Sequence, residues 1–144
     1  LNFSFFIFLY KKGDRTVSFE MLRVQRARRF STVFDKIISR EIKADVVYED
    51  PECIAFRDVA PQAPTHILVI PKVKGNLSRL SLCQKTDKKL LGHLLWASSE
   101  IARQEKLDKD GFRIVINDGK QGQQSVYYLH LHILGGRQLK WPPG

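Results

Sequence analysis

Two histidines, His130 and His132, stand two residues apart in the run YYLHLHILGG. A β-strand has a side-chain period of two, so both would face one side together with Tyr128, while Leu129, Leu131 and Ile133 turn to the other. The apolar set can pack on a core and leave the imidazoles on an open face. A neutral imidazole is a competent nucleophile and proton carrier near neutral pH, and it is also a common metal ligand. In one reading an imidazole attacks phosphorus while its neighbours position groups and move protons, with loop amides and Ser125 bonding the phosphate oxygens. In another, the pair ligates a metal with His66 or His93 as third donor. No Asp, Glu or Cys lies close in sequence to complete such a site, so no metal is expected. A solvated or core histidine is the plain alternative for either residue alone, and His93 reads as a surface residue of a helix.

The elements that must hold these residues follow from the pattern. VFDKIISREI places Val33, Phe34, Ile37, Ile38 and Ile42 at helical spacing after Ser31 or Thr32, either of which can cap the start. VVYED and CIAFRD are β-prone runs on either side of Asp50 and Pro51, and they read as a hairpin. APQAP is a rigid loop and HILVIPK an apolar strand. Over residues 85–106 the side chains of Leu90, Leu91, Leu94, Leu95, Ser98, Ile101 and Ala102 share one stripe, which predicts a long helix. FRIVIND is a strand, DGKQGQQS a flexible loop, and YYLHLHILGG a last strand stopped by two glycines. The order of helix, three strands, long helix and two strands predicts an α+β domain with a largely antiparallel sheet covered by helices.

With 144 residues the chain can fill one sizeable core but not two. Its longest apolar run, Leu1 to Tyr10, is half of the roughly 20 residues that a membrane-spanning helix needs, so no membrane association is expected. Cys53 and Cys83 form no CxxC pair and are expected to be reduced thiols. The net charge of +9 raises the question of nucleic acid, but its distribution answers it. Residues 1–30 hold seven Lys and Arg against two acidic residues, and no aromatic-studded basic stripe follows, so no nucleic-acid partner is expected. Residues 1–30 are read as a basic extension, disordered or used for targeting, and residues 31–144 as the folded domain. The Arg-rich run from Met21 suits a mitochondrial targeting sequence, and a cytoplasmic location is the expectation without it.

Three segments, QSVYYLHLHILGGRQLKWPPG, FRDVAPQAPTHILVIPK and STVFDKIISREIKADVVYED, together resemble the Hint branch of the histidine triad (HIT) family of nucleotide hydrolases. The resemblance runs from Ser31 to Gly144. It implies a HIT-like α+β fold with one short and one long helix, a two-fold homodimer, and binding of purine nucleoside monophosphates such as AMP. It further implies hydrolysis of the P–N bond of adenosine 5'-phosphoramidates through a nucleotidyl-histidine, with no metal or cofactor. Carried onto this chain, the nucleophile falls on His130. His132 contacts the phosphate or leaving group, His66 supports the nucleophile, and Ser125 hydrogen-bonds the phosphoramidate. Asn117, Gln123 and Gln124 lie on the phosphate and sugar side, Asp58 holds the ribose hydroxyls, and Val33, Phe34, Ile37, Phe56 and Val59 line the base pocket.

The chain departs from the family pattern at two places. Tyr128 stands where the family has its first histidine, so the triad is a dyad plus a phenol. In the family a backbone carbonyl at that position orients the nucleophile's Nδ1, and a carbonyl survives the change. A phenol, with a reference pKa of about 10, is no base near neutral pH. An imidazole restored at 128 is therefore expected to raise turnover, and the rival function is a Hint-fold nucleotide-binding or scaffold protein with weakened catalysis. Gln123 replaces a Gly or Ala that lets the loop approach the phosphate. The tail Gln138 to Gly144, with Trp141 before Pro142-Pro143, is expected to leave the sheet and approach the partner's active site.

Overall fold

The computed structural model describes residues 9–12, 15–18 and 31–143, which belong to two units, Leu1–Ser31 and Thr32–Gly144. In the first unit β1 (Leu9–Lys12) runs antiparallel to β2 (Arg15–Ser18). The rest of residues 1–30, including the Arg-rich run from Met21 to which a targeting role was assigned, lies outside the described residues.

The second unit begins with α1 (Val33–Ile38), whose start is fixed by a reciprocal cap. The Asp35 N–H donates to Thr32 Oγ1 at 3.3 Å, and the Thr32 N–H donates to the Asp35 carboxylate at 2.6 Å. Two of the helix's orphan donors are satisfied in this way. Arg40 adopts a left-handed φ of 63°, which ends the helix before Ile42 and leaves that residue, expected on the apolar stripe, 39% exposed. Phe34 and Ile37 form the buried face of α1.

Five antiparallel strands follow, in the spatial order β3 (Val46–Glu49), β4 (Cys53–Arg57), β5 (Thr65–Pro71), β7 (Leu131–Gly135), β6 (Phe112–Val115). The expected hairpin joins β3 to β4. Its turn is closed by Asp50, whose Oδ1 accepts the N–H groups of Glu52 and Cys53 at 2.8 and 2.7 Å. Apart from Arg57 at the end of β4 and Thr65 at the start of β5, the two strands read as apolar runs broken only by His66, because both faces of the sheet are covered. On one face Cys53, Ala55, Ile67, Val69, Leu131 and Ile133 meet α2 (Lys88–Gln104) through Leu94, Ala97, Ile101 and Ala102. On the other, Ile54, Phe56, Leu68, Ile70 and Tyr128 meet Phe34 and Ile37 of α1.

Two elements differ from expectation. A 3₁₀ turn, Lys85–Asp87, precedes α2, and the helix ends at Gln104, so it is shorter at both ends than the apolar stripe suggests. Strand β7 starts at Leu131 rather than at Tyr127. The Tyr128 N–H is taken by the Val126 carbonyl and the Leu129 N–H by the Leu77 carbonyl, which holds 128–130 off the ladder. No helix among the described residues is long and apolar enough to cross a membrane.

Core burial on the α2 face should dominate stability. Ile101, 1% exposed, sits at the centre of that face, whereas Leu82 is 48% exposed in a 3₁₀ turn. Urea unfolding should show Ile101→Ala destabilised by about 2–5 kcal/mol and Leu82→Ala by less than about 0.5 kcal/mol. Equal losses would contradict this assignment of the core.

Candidate active site

His66 on β5 and His132 on β7 lie on the α1 face of the sheet, on adjacent strands where Leu68 pairs with His132 and His66 with Leu134. The rings are therefore diagonal neighbours, and His66 Nε2 lies 2.9 Å from His132 Nδ1. His130, two residues before His132, comes from the stretch held off the ladder, and its ring sits 4.9 Å from that of His132. Phe34 of α1 closes over it edge-on at 5.2 Å and also contacts Phe56 and Tyr128.

The backbone decides which ring nitrogens carry protons. The Gln62 N–H donates to His66 Nδ1 at 3.1 Å, so a neutral His66 has its proton on Nε2. That proton goes to His132 Nδ1, which puts the His132 proton on Nε2. His132 Nε2 is buried and has no partner. The Tyr128 carbonyl can only accept, and it lies 2.6 Å from His130 Nδ1. His130 therefore holds its proton on Nδ1 and leaves the Nε2 lone pair bare. The result is a nucleophilic nitrogen beside an unused N–H donor, and an unsatisfied buried donor costs about 1–3 kcal/mol.

All three imidazoles are held toward the neutral form. Burial pushes His132 down to about 4, assisted by the neighbouring His130 and His66. Burial also lowers His66 and His130, opposed in both cases by Asp58, and for His130 by its bond to the Tyr128 carbonyl as well. Asp58 follows β4 and is brought to the site by its N–H bond to the His66 carbonyl, with Oδ2 3.5 Å from His66 Nε2. Its other oxygen accepts the Ala60 N–H at 2.8 Å.

The loop between β6 and β7 carries Asn117, Gln123, Gln124 and Ser125. Gln124 is buried and its amide is fully engaged: Oε1 accepts the Gly119 N–H, and Nε2 donates to the Ser78 and Val126 carbonyls. Its side chain thus shapes the loop rather than facing a ligand. Asp118 ties the same loop to the Ser81 N–H at 2.6 Å. Gln123 takes a left-handed φ of 59°, a conformation that favours glycine, and a Cβ at the next-door Gly122 would meet the Asp118 carbonyl at 2.5 Å. Ser125 and Gln123 are exposed and Asn117 is half-buried, and none of the three hydrogen-bonds an imidazole. Phe34, Ile37 and Phe56 are buried, whereas Val33 is 43% exposed and Val59 fully so.

Tyr128 corrects a sequence expectation. Its side chain is fully buried against Phe34, and its hydroxyl donates to the Pro71 carbonyl at 2.6 Å. The phenol occupies the core, only its carbonyl serves the site, and the expected gain from an imidazole at 128 loses its geometric basis. Sequence reading also missed Gln62, which acts through its backbone, and it took His93 for a plain surface residue. The His93 ring is paired with Asp50 at 2.7 Å. The separation of 43 residues between His93 and Asp50 hides that pair from local pattern, and Gln62, four residues from His66, leaves no signal because it acts through its backbone.

Among the described residues, two groups of side chains converge closely enough for a cation: Asp58, His66 and His132, and Asp50, Cys53 and His93. In the first, the nitrogens that would bind already share a proton, and a metal would have to displace it. That donor set fits the proton relay better than a metal.

The depressed histidines set an acid dependence of stability. Between the ordinary value of 6.5 and about 4, an unfolded chain gains a proton that folded His132 refuses. The stability this residue contributes above pH 6.5 is lost as pH falls toward 4, with His66 and His130 acting in the same direction. Urea unfolding at pH 7 and pH 4.5 should show a smaller acid loss for His132→Gln than for wild type. An equal loss would contradict the burial assigned to the ring.

Known proteins resemble this chain in sequence and in fold. Residues 39–139 match the HIT domain family. The chain is 57% identical over 113 residues to the 14 kDa zinc-binding protein of Zea mays, a match that covers 78% of this chain and 88% of that protein. It is 56% identical over 113 residues to adenylylsulfatase HINT1 of Arabidopsis thaliana, covering 78% and 76%. A crystal structure of a HIT family hydrolase from Legionella pneumophila Philadelphia 1 superposes with a TM-score of 0.76 at 45% identity, over 79% of this chain and all of that one.

Proposed function

The chain belongs to the HIT family, and from that premise we propose that it is a purine nucleoside phosphoramidase, hydrolysing the P–N bond of adenosine 5'-phosphoramidates by double displacement. The observation that carries this reading is the pairing of a bare His130 Nε2 with an unpartnered His132 Nε2–H.

In the first step His130 Nε2 attacks the α-phosphorus and forms a new P–N bond as the bond to the amine breaks. Positive charge develops on the His130 ring and is stabilised by the Tyr128 carbonyl on Nδ1. His132 Nε2–H hydrogen-bonds a phosphoryl oxygen or the leaving nitrogen, and the amine departs with a proton delivered through Ser125 or His132. Water then attacks phosphorus, releases the nucleoside monophosphate and returns His130 to its starting form. Asp58 holds the ribose hydroxyls, and Phe34, Ile37 and Phe56, with Val33 and Val59 at the rim, hold the purine. Asn117, Gln123 and Ser125 surround the phosphate within a loop that Gln124 fixes. The Arabidopsis relative is named an adenylylsulfatase, and an adenylyl sulfate would offer the same α-phosphorus with a different leaving group.

A two-fold homodimer completes the proposal. β6 pairs only with β7 among the described residues, so its outer edge is open, and α2 exposes Leu95 and Trp96 at 49% and 53%. Trp141, 83% exposed in the tail, is then available to reach the partner's active site. The enzyme is placed in the cytoplasm, or in the mitochondrion where the Arg-rich run from Met21 directs it.

Turnover of an adenosine 5'-phosphoramidate tests this reading. His130→Ala should lower kcat by at least about 10³-fold while AMP binding changes by less than about tenfold, because the nucleophile acts in the transition state more than in the ground state. EDTA should leave wild-type turnover unchanged. Wild-type rates in His130→Ala, or activity lost in EDTA while the chain stays folded and then restored by zinc, would overturn the mechanism.

A further inference from the structure

On the opposite face of the sheet from the three imidazoles, the β3–β4 turn meets α2 through side chains that the reaction does not use. Asp50 Oδ2 lies 2.7 Å from His93 Nε2, 2.9 Å from the Tyr48 hydroxyl and 3.5 Å from Cys53 Sγ. We propose that Asp50, Cys53 and His93 form a second, structural site for a zinc-type divalent cation, pinning the β3–β4 turn to α2.

Geometry supports this in three ways. First, the candidate ligand atoms, Asp50 Oδ2, Cys53 Sγ and His93 Nε2, all lie within 4.8 Å of one another, so a small cation could take all three after modest adjustment. Second, the ligands are held in place. Asp50 Oδ1 is fixed by the N–H groups of Glu52 and Cys53, which leaves Oδ2 directed at the other two. Behind His93, Glu52 Oε2 lies 3.4 Å from Nδ1, the carboxylate–histidine arrangement that orients metal-bound imidazoles. Third, the donors are one sulfur, one nitrogen and one oxygen, a set that suits zinc or cobalt and not the all-oxygen preference of calcium or magnesium. Cys53 is fully buried while Asp50 and His93 retain 15% and 21% side-chain exposure, so a cation can enter from solvent with the sulfur at its back.

Binding is an exchange of protons for metal. The Cys53 thiol proton, which burial and the adjacent Asp50 hold on the sulfur, is released to solvent. The proton on His93 Nε2 gives way to the metal, and a neutral ring then carries its proton on Nδ1, facing Glu52. A water fills the fourth position. Tyr48 keeps its bond to Asp50 as an outer partner.

Cobalt(II) titration of the metal-stripped full chain tests the site directly, because thiolate ligation gives a near-ultraviolet charge-transfer band. Wild type should develop this band at one equivalent, and zinc should bleach it and raise the melting temperature. Cys53→Ser and His93→Gln should lose the band, and Glu52→Gln should weaken binding about 10- to 100-fold. Cys83→Ser and His66→Gln should retain it. No band in wild type, a band retained in His93→Gln, or a band lost in Cys83→Ser or His66→Gln would overturn the proposal. These readouts are independent of turnover, so the site and the phosphoramidase reading can fail separately.

Discussion

Two backbone groups, the Gln62 N–H and the Tyr128 carbonyl, fix the protonation pattern of three imidazoles, and the chemistry proposed for this protein rests on that constraint. A donor on His66 Nδ1 forces the proton through His66 Nε2 to His132 Nδ1, and an acceptor on His130 Nδ1 clears the lone pair on Nε2. Neither group is a side chain, so the pattern tolerates change in the residues that supply them. Tyr128 is the example: as a side chain it belongs to the core beneath α1, and as a carbonyl it belongs to the site. Burial then keeps the rings neutral, which a nucleophilic nitrogen requires.

The fold serves this arrangement through strand order. Placing β7 between β5 and β6 puts His66 and His132 on neighbouring strands and on the same face, across 66 residues of sequence. The bond from the Leu129 N–H to the Leu77 carbonyl helps hold residues 128–130 off the ladder, and within that stretch His130 Nδ1 meets the Tyr128 carbonyl two residues back. α1 supplies the lid in Phe34, and its reciprocal cap sets where the lid begins. The opposite face is left to α2, which provides most of the core and, at its N-terminal half, the His93 contact with the β3–β4 turn.

Much of this was legible in the sequence. The Thr32 cap, the hairpin around Asp50, the apolar strand after APQAP and the long helix stripe all carry local signals, and the α+β class follows from their order. The family motif pointed to His66, His130 and His132 together. Period-two reasoning put Tyr128 on the same open face as the histidines; it does share their side of the sheet, but that side is closed by α1, and the phenol lies buried there instead of facing the site. Gln124 looked like a ligand group, yet buried carbonyls and an N–H within the loop claim its amide. Asp58 and His93 acquire their partners through tertiary contacts that no spacing rule encodes.

The central claim is a statement about protons, and a long-range ¹H–¹⁵N correlation spectrum of the histidine rings at pH 7 reads it without substrate. The account predicts His130 as the Nδ1–H tautomer, and His66 and His132 as Nε2–H tautomers, all three neutral. A His130 ring protonated on Nε2, or any of the three fully charged at that pH, would contradict it.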